Sequence, residues 1–444
     1  MLANDSRSVK KLTAELLGQW RFGAALSSEC LSAMQSRLVA IIAVLLVAMT
    51  GLAYLLFGVY VRNSSESTLR HAASYAVKGK LDLARDELKW LLWFAPHHPP
   101  SLHLAAIIDL KQNNLPAAIG HLQRIGEDSK LHETAQGLLA SALLADQQLD
   151  HAEKVLSSHL VRYPKSVIAR RQLFGLLLTE LRSREAIQVQ EEFLLLSASD
   201  PISLSDRLLM LRDLASSEFH APLPQDCLTT LESAFNRHRD QPHAELALGR
   251  CYLRLGNLDE AEPLLHNSLD RGPRDFEARF LTCEFWIAKG DPDRAEAVLL
   301  GDPESPSSSA INDTSVLEKD DRFWELRCRI AEGRSEYERA LCEIDRAASI
   351  RPLNKDYEAR RARLLQRQQR SAEAQKAYTR SHELARAELD LWNLSRELGV
   401  RDPKSAECEQ VALLYESLGK SLPADLWRQL GRQIAVKTPA RLGP

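Results

Sequence analysis

Apolar residues recur along most of the chain at steps of three and four positions. This spacing predicts helices, each with one apolar stripe to bury. A longer interval of 34 residues separates small or apolar positions within this pattern. The series is Ala84, Ala118, Ala152 and Ala186, with a second series twelve residues earlier at Ala72, Ala106, Ala140 and Phe174. A repeat of this length predicts an all-α fold of stacked helical hairpins that share one continuous core.

The clearest single unit of the repeat is residues 243–273, HAELALGRCYLRLGNLDEAEPLLHNSLDRGP. It has a small residue in its first helix, a glycine at the turn, an alanine in its second helix and a proline after it. These signature positions include Leu248, Gly249, Tyr252, Gly256, Asn257, Ala261 and Pro273. The small residues let two helices approach closely, glycine permits a left-handed turn, and proline cannot continue a helix.

These motifs resemble the tetratricopeptide repeat family. A second copy of the pattern runs from Trp324 through Ala340 to Pro352, and the resemblance covers roughly residues 65–435. It implies a right-handed α-solenoid whose first helices line a concave groove, where partner peptides bind.

Lapses in the interval and changes of composition divide the chain into segments. Residues 303–315 are rich in proline and serine, which favours a flexible loop. The predicted segments are an N-terminal tail (1–37), a transmembrane anchor (38–61), about four repeats (65–200), a degenerate helical pair (201–241), two repeats (242–302), a flexible Pro/Ser-rich loop (303–320), two further repeats (321–384) and a C-terminal helical cap or last repeat (385–435).

Residues 38–61 are the segment that suits a lipid bilayer, because they hold 24 residues without a charge between Arg37 and Arg62. As a helix they would extend about 36 Å, enough to cross a hydrocarbon core of about 30 Å. A cleaved signal peptide is the alternative, but its apolar core is usually about 7–15 residues long. The sequence therefore predicts a single-pass membrane protein with an uncleaved anchor.

The tail before the anchor allows two interpretations. Translation from Met34 would leave a short basic lead into the anchor, so residues 1–33 could be a misassigned start; otherwise the tail could form an amphipathic helix on the membrane surface. Basic residues are balanced on the two sides of the anchor, so the positive-inside rule hardly discriminates. A lone N-terminal anchor most often sends the large domain across, and we expect the solenoid on the non-cytoplasmic side.

Composition narrows the classes of function. Hydrophobic residues make up 45% and charged residues 26%, with only 19 glycines and 19 prolines, which is typical of a folded helical chain. A net charge of −3 argues against a general nucleic-acid-binding protein, which would be strongly basic. The seven cysteines form no CxxC pair, so we interpret them as small apolar fillers rather than zinc ligands.

The sequence offers no motif for catalysis. HExxH, GxSxG and GxGxxG do not occur in it. Gly419-Lys420-Ser421 ends like a phosphate-binding loop, but Leu414 stands where the earlier glycine is required. We therefore expect no enzyme activity, no catalytic residue, no cofactor, no metal and no small-molecule substrate.

Carrying the helix register from repeat to repeat assigns residues to the groove. The half far from the anchor is predicted to be basic and peptide-binding, through Arg250, Arg254, Arg329, Arg363 and Arg367. The half near the anchor is predicted to be apolar, through Leu69, Ala73, Ile107, Leu110 and Leu144. A guanidinium can hold a carboxylate by two hydrogen bonds, so the basic half suits an acidic peptide or a C-terminal segment. The alternative is an ordinary solvated helix face with weak ion pairs.

Together these features predict a membrane-anchored scaffold, an adaptor that binds partner proteins through its groove. One alternative is a permanent structural subunit of a membrane complex. Another, which rests on analogy of fold alone, is an accessory factor for an envelope or export enzyme.

Overall fold

The computed structural model describes residues 48–49, 65–198, 204–219, 222–301, 314–398 and 403–437. Within these ranges the regular secondary structure is helical and no strand occurs, so the all-α prediction is confirmed there. The tail at 1–37 and all of the predicted anchor except Ala48 and Met49 lie outside the described residues. Among the helices that are described, none combines the length and the apolar character needed to cross a bilayer.

The helices are numbered here in chain order. Their bounds are α1, residues 65–77; α2, Leu81–Phe94; α3, Pro99–Lys111; α4, Leu115–Gln123; α5, His132–Ala145; α6, Leu149–Arg162; α7, Val167–Thr179; α8, Ser183–Ala198; α9, Leu204–Phe219; α10, Pro224–Arg237; α11, Pro242–Leu255; α12, Leu258–Arg271; α13, Phe276–Ala288; α14, Pro292–Leu300; α15, Thr314–Leu317; α16, Asp321–Gly333; α17, Tyr337–Ile350; α18, Lys355–Arg367; α19, Ser371–Leu398; α20, Ser405–Ser417; and α21, Ser421–Lys437.

The chain divides into two compact units, Met1–Phe94 and Ala95–Pro444. The first contains the α1–α2 pair. In the second, helices pack in consecutive pairs, such as α11 with α12 and α16 with α17, and most pairs also contact the next. This is the stacking of hairpins that the 34-residue interval predicted.

Buried alanines show why the interval has that length. Ala118, Ala152 and Ala186 have no exposed surface, and the same is true of Ala261 and Ala340 further along. Each lies near the start of the second helix of its hairpin. A larger side chain there would separate neighbouring helices, so the spacing of small residues reports the spacing of close contacts.

The small residue of the first helix has the predicted role at Gly249. A Cβ atom at this position would lie 3.0 Å from Cδ2 of Leu265 and 3.3 Å from Cβ of Leu264. Both leucines belong to α12, the partner helix of the hairpin. The absence of a side chain at Gly249 therefore sets how closely α11 and α12 pack.

The turns inside the hairpins place one residue in the left-handed backbone region. At Gly256, φ is +81°, as the signature predicts. Several other hairpins use residues that pay a steric penalty for the same conformation. They are Asn113, Gln147, Leu181, Ser335 and Gln369.

The C-terminal helices pack onto the middle of the second unit. Helix α9 contacts α19, and α21 contacts both α8 and α9. Their apolar stripes form one cluster of fully buried side chains, among them Phe193, Met210, Leu214, Leu391 and Trp427. These contacts join the last hairpin, predicted as a terminal cap, to α8 and α9 in the middle of the unit. We call them the closure.

Two predicted boundaries need correction. The boundary between residues 384 and 385 lies inside α19, which runs unbroken for 28 residues because Ser371–Leu398 contains neither proline nor glycine. The predicted loop at 303–320 includes the short helix α15, and residues 302–313 lie outside the described part of the chain.

Candidate functional site: a charged ladder across the hairpins

Charged side chains from several hairpins meet in one network within the second unit. They come from α6, from the turn between α7 and α8, and from the first helices α11, α13 and α16. We call this set the charged ladder: Glu153, Glu180, Arg182, His243, Arg250, Glu277 and Arg322.

Two helix N-termini that cap each other bring the ladder together. The carboxylate of Asp150, on α6, accepts hydrogen bonds from the backbone N–H groups of His243 (2.9 Å) and Ala244 (3.0 Å) at the start of α11. In return the Gln241 side chain accepts one from the backbone N–H of Asp150 at 3.1 Å. These bonds satisfy N–H groups that a helix leaves open, and they fix the two helices side by side.

Arg182 is the centre of the first part of the ladder. Its Nη1 donates to Glu153 at 2.8 Å and to Glu180 at 2.7 Å, and its Nη2 donates to Glu185 at 2.7 Å. One guanidinium thus serves three carboxylates. Charge-assisted hydrogen bonds of this kind are roughly twice as strong as those between neutral groups.

His243 continues the ladder from Glu153. Its Nδ1 lies 3.0 Å from the Glu153 carboxylate, and this hydrogen bond raises the pKa of His243 to about 9. Burial alone would raise the pKa of Glu153, but hydrogen bonds from His243 and Arg182 outweigh it and hold that pKa at about 2. The pair is therefore charged throughout the neutral range.

Arg250 is the most deeply buried basic residue of the ladder. Only 2% of it is exposed, and its Nη1 donates to the backbone carbonyl of Glu180 at 2.5 Å. Its Nη2 donates to Glu277 at 2.9 Å, and Glu277 also accepts from Arg322 at 2.6 Å. Burial lowers the pKa of Arg250, and Glu277 opposes that shift. The prediction that Arg250 faces an open groove is thus corrected: its donors already serve the chain's own acceptors.

A second bridge joins helices that are far apart in sequence. Arg184 holds Asp321 with two hydrogen bonds, from Nη1 at 2.6 Å and from Nη2 at 2.8 Å. The hydroxyl of Tyr357 donates to the same carboxylate at 2.6 Å. Burial alone would raise the pKa of Asp321, but the bonds from Arg184 and Tyr357 lower it. The bridge therefore connects α8 to α16 and α18.

A polar cavity of about 200 Å³ lies beside the ladder. It is lined by Arg182, Glu185, His243, Leu246, Arg250, Asp275 and Glu277. In the described residues no group of three or more His, Cys, Asp or Glu side chains could hold a metal ion. The acidic and basic side chains around the cavity balance in charge. The ion pair between Arg250 and Glu277 joins two of the hairpins.

The other predicted arginines lie outside the ladder. Arg254 and Arg363 are exposed, and neither has a carboxylate of the described residues within ion-pairing distance. Arg367, also exposed, donates to the Tyr337 hydroxyl at 2.8 Å. Arg329 is partly buried and lies 3.7 Å from Glu284. These four guanidiniums keep donors that a ligand could use.

The predicted apolar residues are partly exposed in both units. Leu69 and Ala73 belong to the first unit, whereas Ile107, Leu110 and Leu144 belong to the second. All five are neither fully buried nor fully exposed. That they line one groove stays a prediction.

The sequence matches a known repeat in its middle. The family model for the tetratricopeptide repeat matches residues 246–308. This range holds α12 and α13 entirely, together with most of α11 and all of α14. Tetratricopeptide repeats therefore form this part of the second unit. A search with the sequence among curated proteins finds no match.

Several solved structures resemble the tetratricopeptide hairpins at low identity. MamA from Desulfovibrio magneticus RS-1 (residues 41 to the end) is 17% identical, with 42% of this chain and 98% of that chain covered and a TM-score of 0.30. A tetratricopeptide repeat protein from Parabacteroides merdae is 14% identical, with 60% of this chain and 98% of that chain covered and a TM-score of 0.29. A monomeric mutant of IFIT1 with Gppp-AAAA is 12% identical, with 83% and 90% covered and a TM-score of 0.33. Scores this low say nothing about what this chain binds.

The tetratricopeptide signature did not reveal the acidic members of the ladder. Glu180 follows the end of α7, and Asp146 follows the end of α5, one 34-residue interval earlier. Each meets a basic residue from beyond position 230: Arg237 lies 3.5 Å from Asp146, and Arg250 bonds the carbonyl of Glu180. Only the contact at Asp146 uses the acidic side chain, because Arg250 bonds the backbone of Glu180, so residue type at this position gave no signal for the ladder.

Proposed function

We propose that the chain is a membrane-anchored scaffold that binds partner proteins through its tetratricopeptide repeats. The observation that carries the proposal is the group of exposed arginines Arg254, Arg363 and Arg367 on first helices of these hairpins. First helices form the partner-binding face in the family that the repeats resemble. We assign Arg329 to the same face and leave Arg250 out, because it is committed to Glu180 and Glu277.

The proposed ligand is an acidic segment or the C-terminal end of a partner protein. A planar guanidinium can hold a carboxylate with two parallel hydrogen bonds, which suits Arg254 and Arg363 because their donors meet no carboxylate of the described chain. Arg329 is held only by the 3.7 Å contact to Glu284. Exchanging that contact for a ligand carboxylate would therefore cost little.

Binding of a defined acidic peptide tests the proposal. The change is reversal of three charges together, Arg254→Glu, Arg363→Glu and Arg367→Glu, and fluorescence anisotropy of a labelled Glu-rich peptide with a free C-terminus is the measurement. We expect the variant to bind at least about tenfold more weakly, because each lost charge-assisted bond is worth about 1.5–3 kcal/mol.

The matched control reverses three exposed arginines elsewhere, Arg239→Glu, Arg274→Glu and Arg386→Glu. It changes the net charge equally, so a loss of affinity shared by both variants would mean general attraction and would contradict a specific site.

Salt dependence separates this function from the second candidate, a permanent subunit held by apolar contacts. Ionic strength of about 1 M screens exposed charges beyond about 3 Å and should release a peptide held by arginines, but not an apolar partner.

The membrane anchor at residues 38–61 belongs to this proposal, with the solenoid on the non-cytoplasmic side. What supports it is the uncharged stretch of 24 residues in the sequence. Cys342 offers a test of sidedness, because it is exposed whereas the other cysteines of the described ranges are buried. In a Cys30→Ser background, a membrane-impermeant maleimide should label Cys342 in vesicles sealed with the non-cytoplasmic face outward. Labelling only after lysis would place the solenoid in the cytoplasm.

A further inference from the structure

Three aromatic side chains gather at one end of the first hairpin. We call Trp90, Trp93 and Phe94 the aromatic tip. Phe94 meets both tryptophans edge to face, with ring centroids 5.9 Å from Trp90 and 4.4 Å from Trp93. Even so, 76% of Trp93 and 45% of Phe94 are exposed. Aromatic rings of this size usually bury most of their surface, so such exposure indicates a surface that something else covers.

The turn between α1 and α2 decides which end of the hairpin carries the tip. Gly79 has a φ of +74°, and the backbone N–H of Lys80 donates to the carbonyl of Tyr75 at 2.9 Å. Such a short turn sends α2 back along α1, and both helices are about 20 Å long. The end of α2 at Phe94 therefore returns to the level of residue 65, where α1 begins.

The same end of the hairpin is tied to the proposed anchor. The uncharged stretch ends at Val61, which leaves only residues 62–64 before α1. Four steps along an extended chain span at most about 14 Å. The start of α1, and with it the aromatic tip, must then lie within the depth of the lipid headgroups or just above them.

The chemistry of the tip fits that position. Tryptophan favours the boundary between hydrocarbon and water, because its ring is apolar and its indole N–H still needs a polar partner. The opposite end of the hairpin carries the exposed charged residues Lys78, Lys80 and Asp82, which suit water. The exposed aromatic rings of the hairpin thus lie at its membrane end, where Glu66 and Lys89 are also exposed, and its far end carries charged side chains without such rings.

We propose that the aromatic tip inserts into the interface of the bilayer that holds the anchor. This inference rests on the proposed function, because it requires residues 38–61 to span that bilayer. The tip then gives the first hairpin a second attachment to the bilayer beside the anchor.

Quenching by brominated lipid tests the proposal on the full chain. The protein, with Trp20→Phe so that the tail does not contribute, is reconstituted in vesicles of phosphatidylcholine and phosphatidylglycerol that contain dibrominated phosphatidylcholine. We expect the lipid to quench part of the tryptophan emission, and Trp90→Phe with Trp93→Phe to remove most of that quenching. The matched control Trp392→Phe, on α19, should leave it unchanged.

The outcomes separate the two proposals. Protein that stays in the vesicles through an alkaline carbonate wash but shows no quenching, or the same quenching after Trp90→Phe and Trp93→Phe, overturns the aromatic tip and leaves the anchor standing. A tip packed against a second copy or another protein would give that result. Protein that the wash removes overturns the anchor and, with it, this inference.

Discussion

At the scale of single residues, the carboxyl group of Glu180 is buried with one of its two oxygens unsatisfied. Its Oε2 accepts from Arg182 at 2.7 Å, but Oε1 has no hydrogen-bond partner, and none of the residue is exposed. Arg182 is shared with two other carboxylates, so its charge compensates Glu180 only in part. Burial raises the pKa of Glu180 to about 7 despite Arg182.

This environment predicts a stability that depends on pH. The folded chain binds the Glu180 proton more tightly than the unfolded chain does, so its contribution is complete below about pH 4.5 and is lost as the pH rises through about 7. Glu180→Gln should therefore match the wild type at about pH 4.5 and be more stable at about pH 8, by up to roughly 3 kcal/mol. Urea unfolding at the two pH values measures this. A variant less stable than the wild type at the higher pH would show that Glu180 is a well-compensated carboxylate.

Single residues also explain part of what the sequence could not predict. The hairpin at Gly256 follows the glycine signature, and the sequence predicts its turn. Leu181 and Ser335 adopt the same left-handed turn without glycine, at a cost of about 1–2 kcal/mol each, which packing must offset. Arg250 was misplaced because the register predicts which face a residue occupies, but not whether another hairpin covers that face.

At the scale of elements, the distance between paired helices is set by one missing side chain. Gly249→Val should lower the free energy of unfolding by about 1–3 kcal/mol, because its first carbon already meets Leu264 and Leu265 at 3.3 and 3.0 Å. Gly137 is the matched control, since it is also helical and has no atom within 4 Å of its would-be Cβ. Gly137→Val should change stability little, as valine and glycine differ by only a few tenths of a kcal/mol in a helix. If thermal unfolding shows an equal loss of stability for both variants, the cost would come from helix propensity and not from the close approach of α11 and α12.

At the scale of the whole second unit, the closure between α8–α9 and α19–α21 was outside the reach of sequence analysis. A 34-residue interval predicts contacts between neighbouring hairpins, because each stripe must meet the next one along the chain. It carries no information about contacts such as that of Met210 with the cluster around Leu391 and Trp427, which lie far along the chain. The family model matches residues 246–308, which include neither α8–α9 nor α19–α21.

Because of the closure, a substitution near the C-terminus should destabilise a helix in the middle of the chain. Trp427→Ala removes a fully buried side chain from the shared cluster and should cost about 3–5 kcal/mol. Hydrogen exchange of α9 should then become faster, although α9 lies about two hundred residues earlier. Ile344→Ala, equally buried but in a different cluster, should leave α9 protected. Unchanged exchange of α9 in the Trp427 variant would mean that the hairpins simply stack from end to end.

Purification of the full chain from detergent-solubilised membranes, with mass spectrometry of the proteins that accompany it, tests whether these arginines hold partner proteins. We expect a defined set of partners to accompany both the wild type and the control variant in which Arg239, Arg274 and Arg386 are reversed in charge. The same partners should be lost when Arg254, Arg363 and Arg367 are reversed in charge, or when salt reaches about 1 M. Partners that follow all three proteins alike, or a wild-type chain that purifies without any, would contradict a scaffold that binds through these arginines.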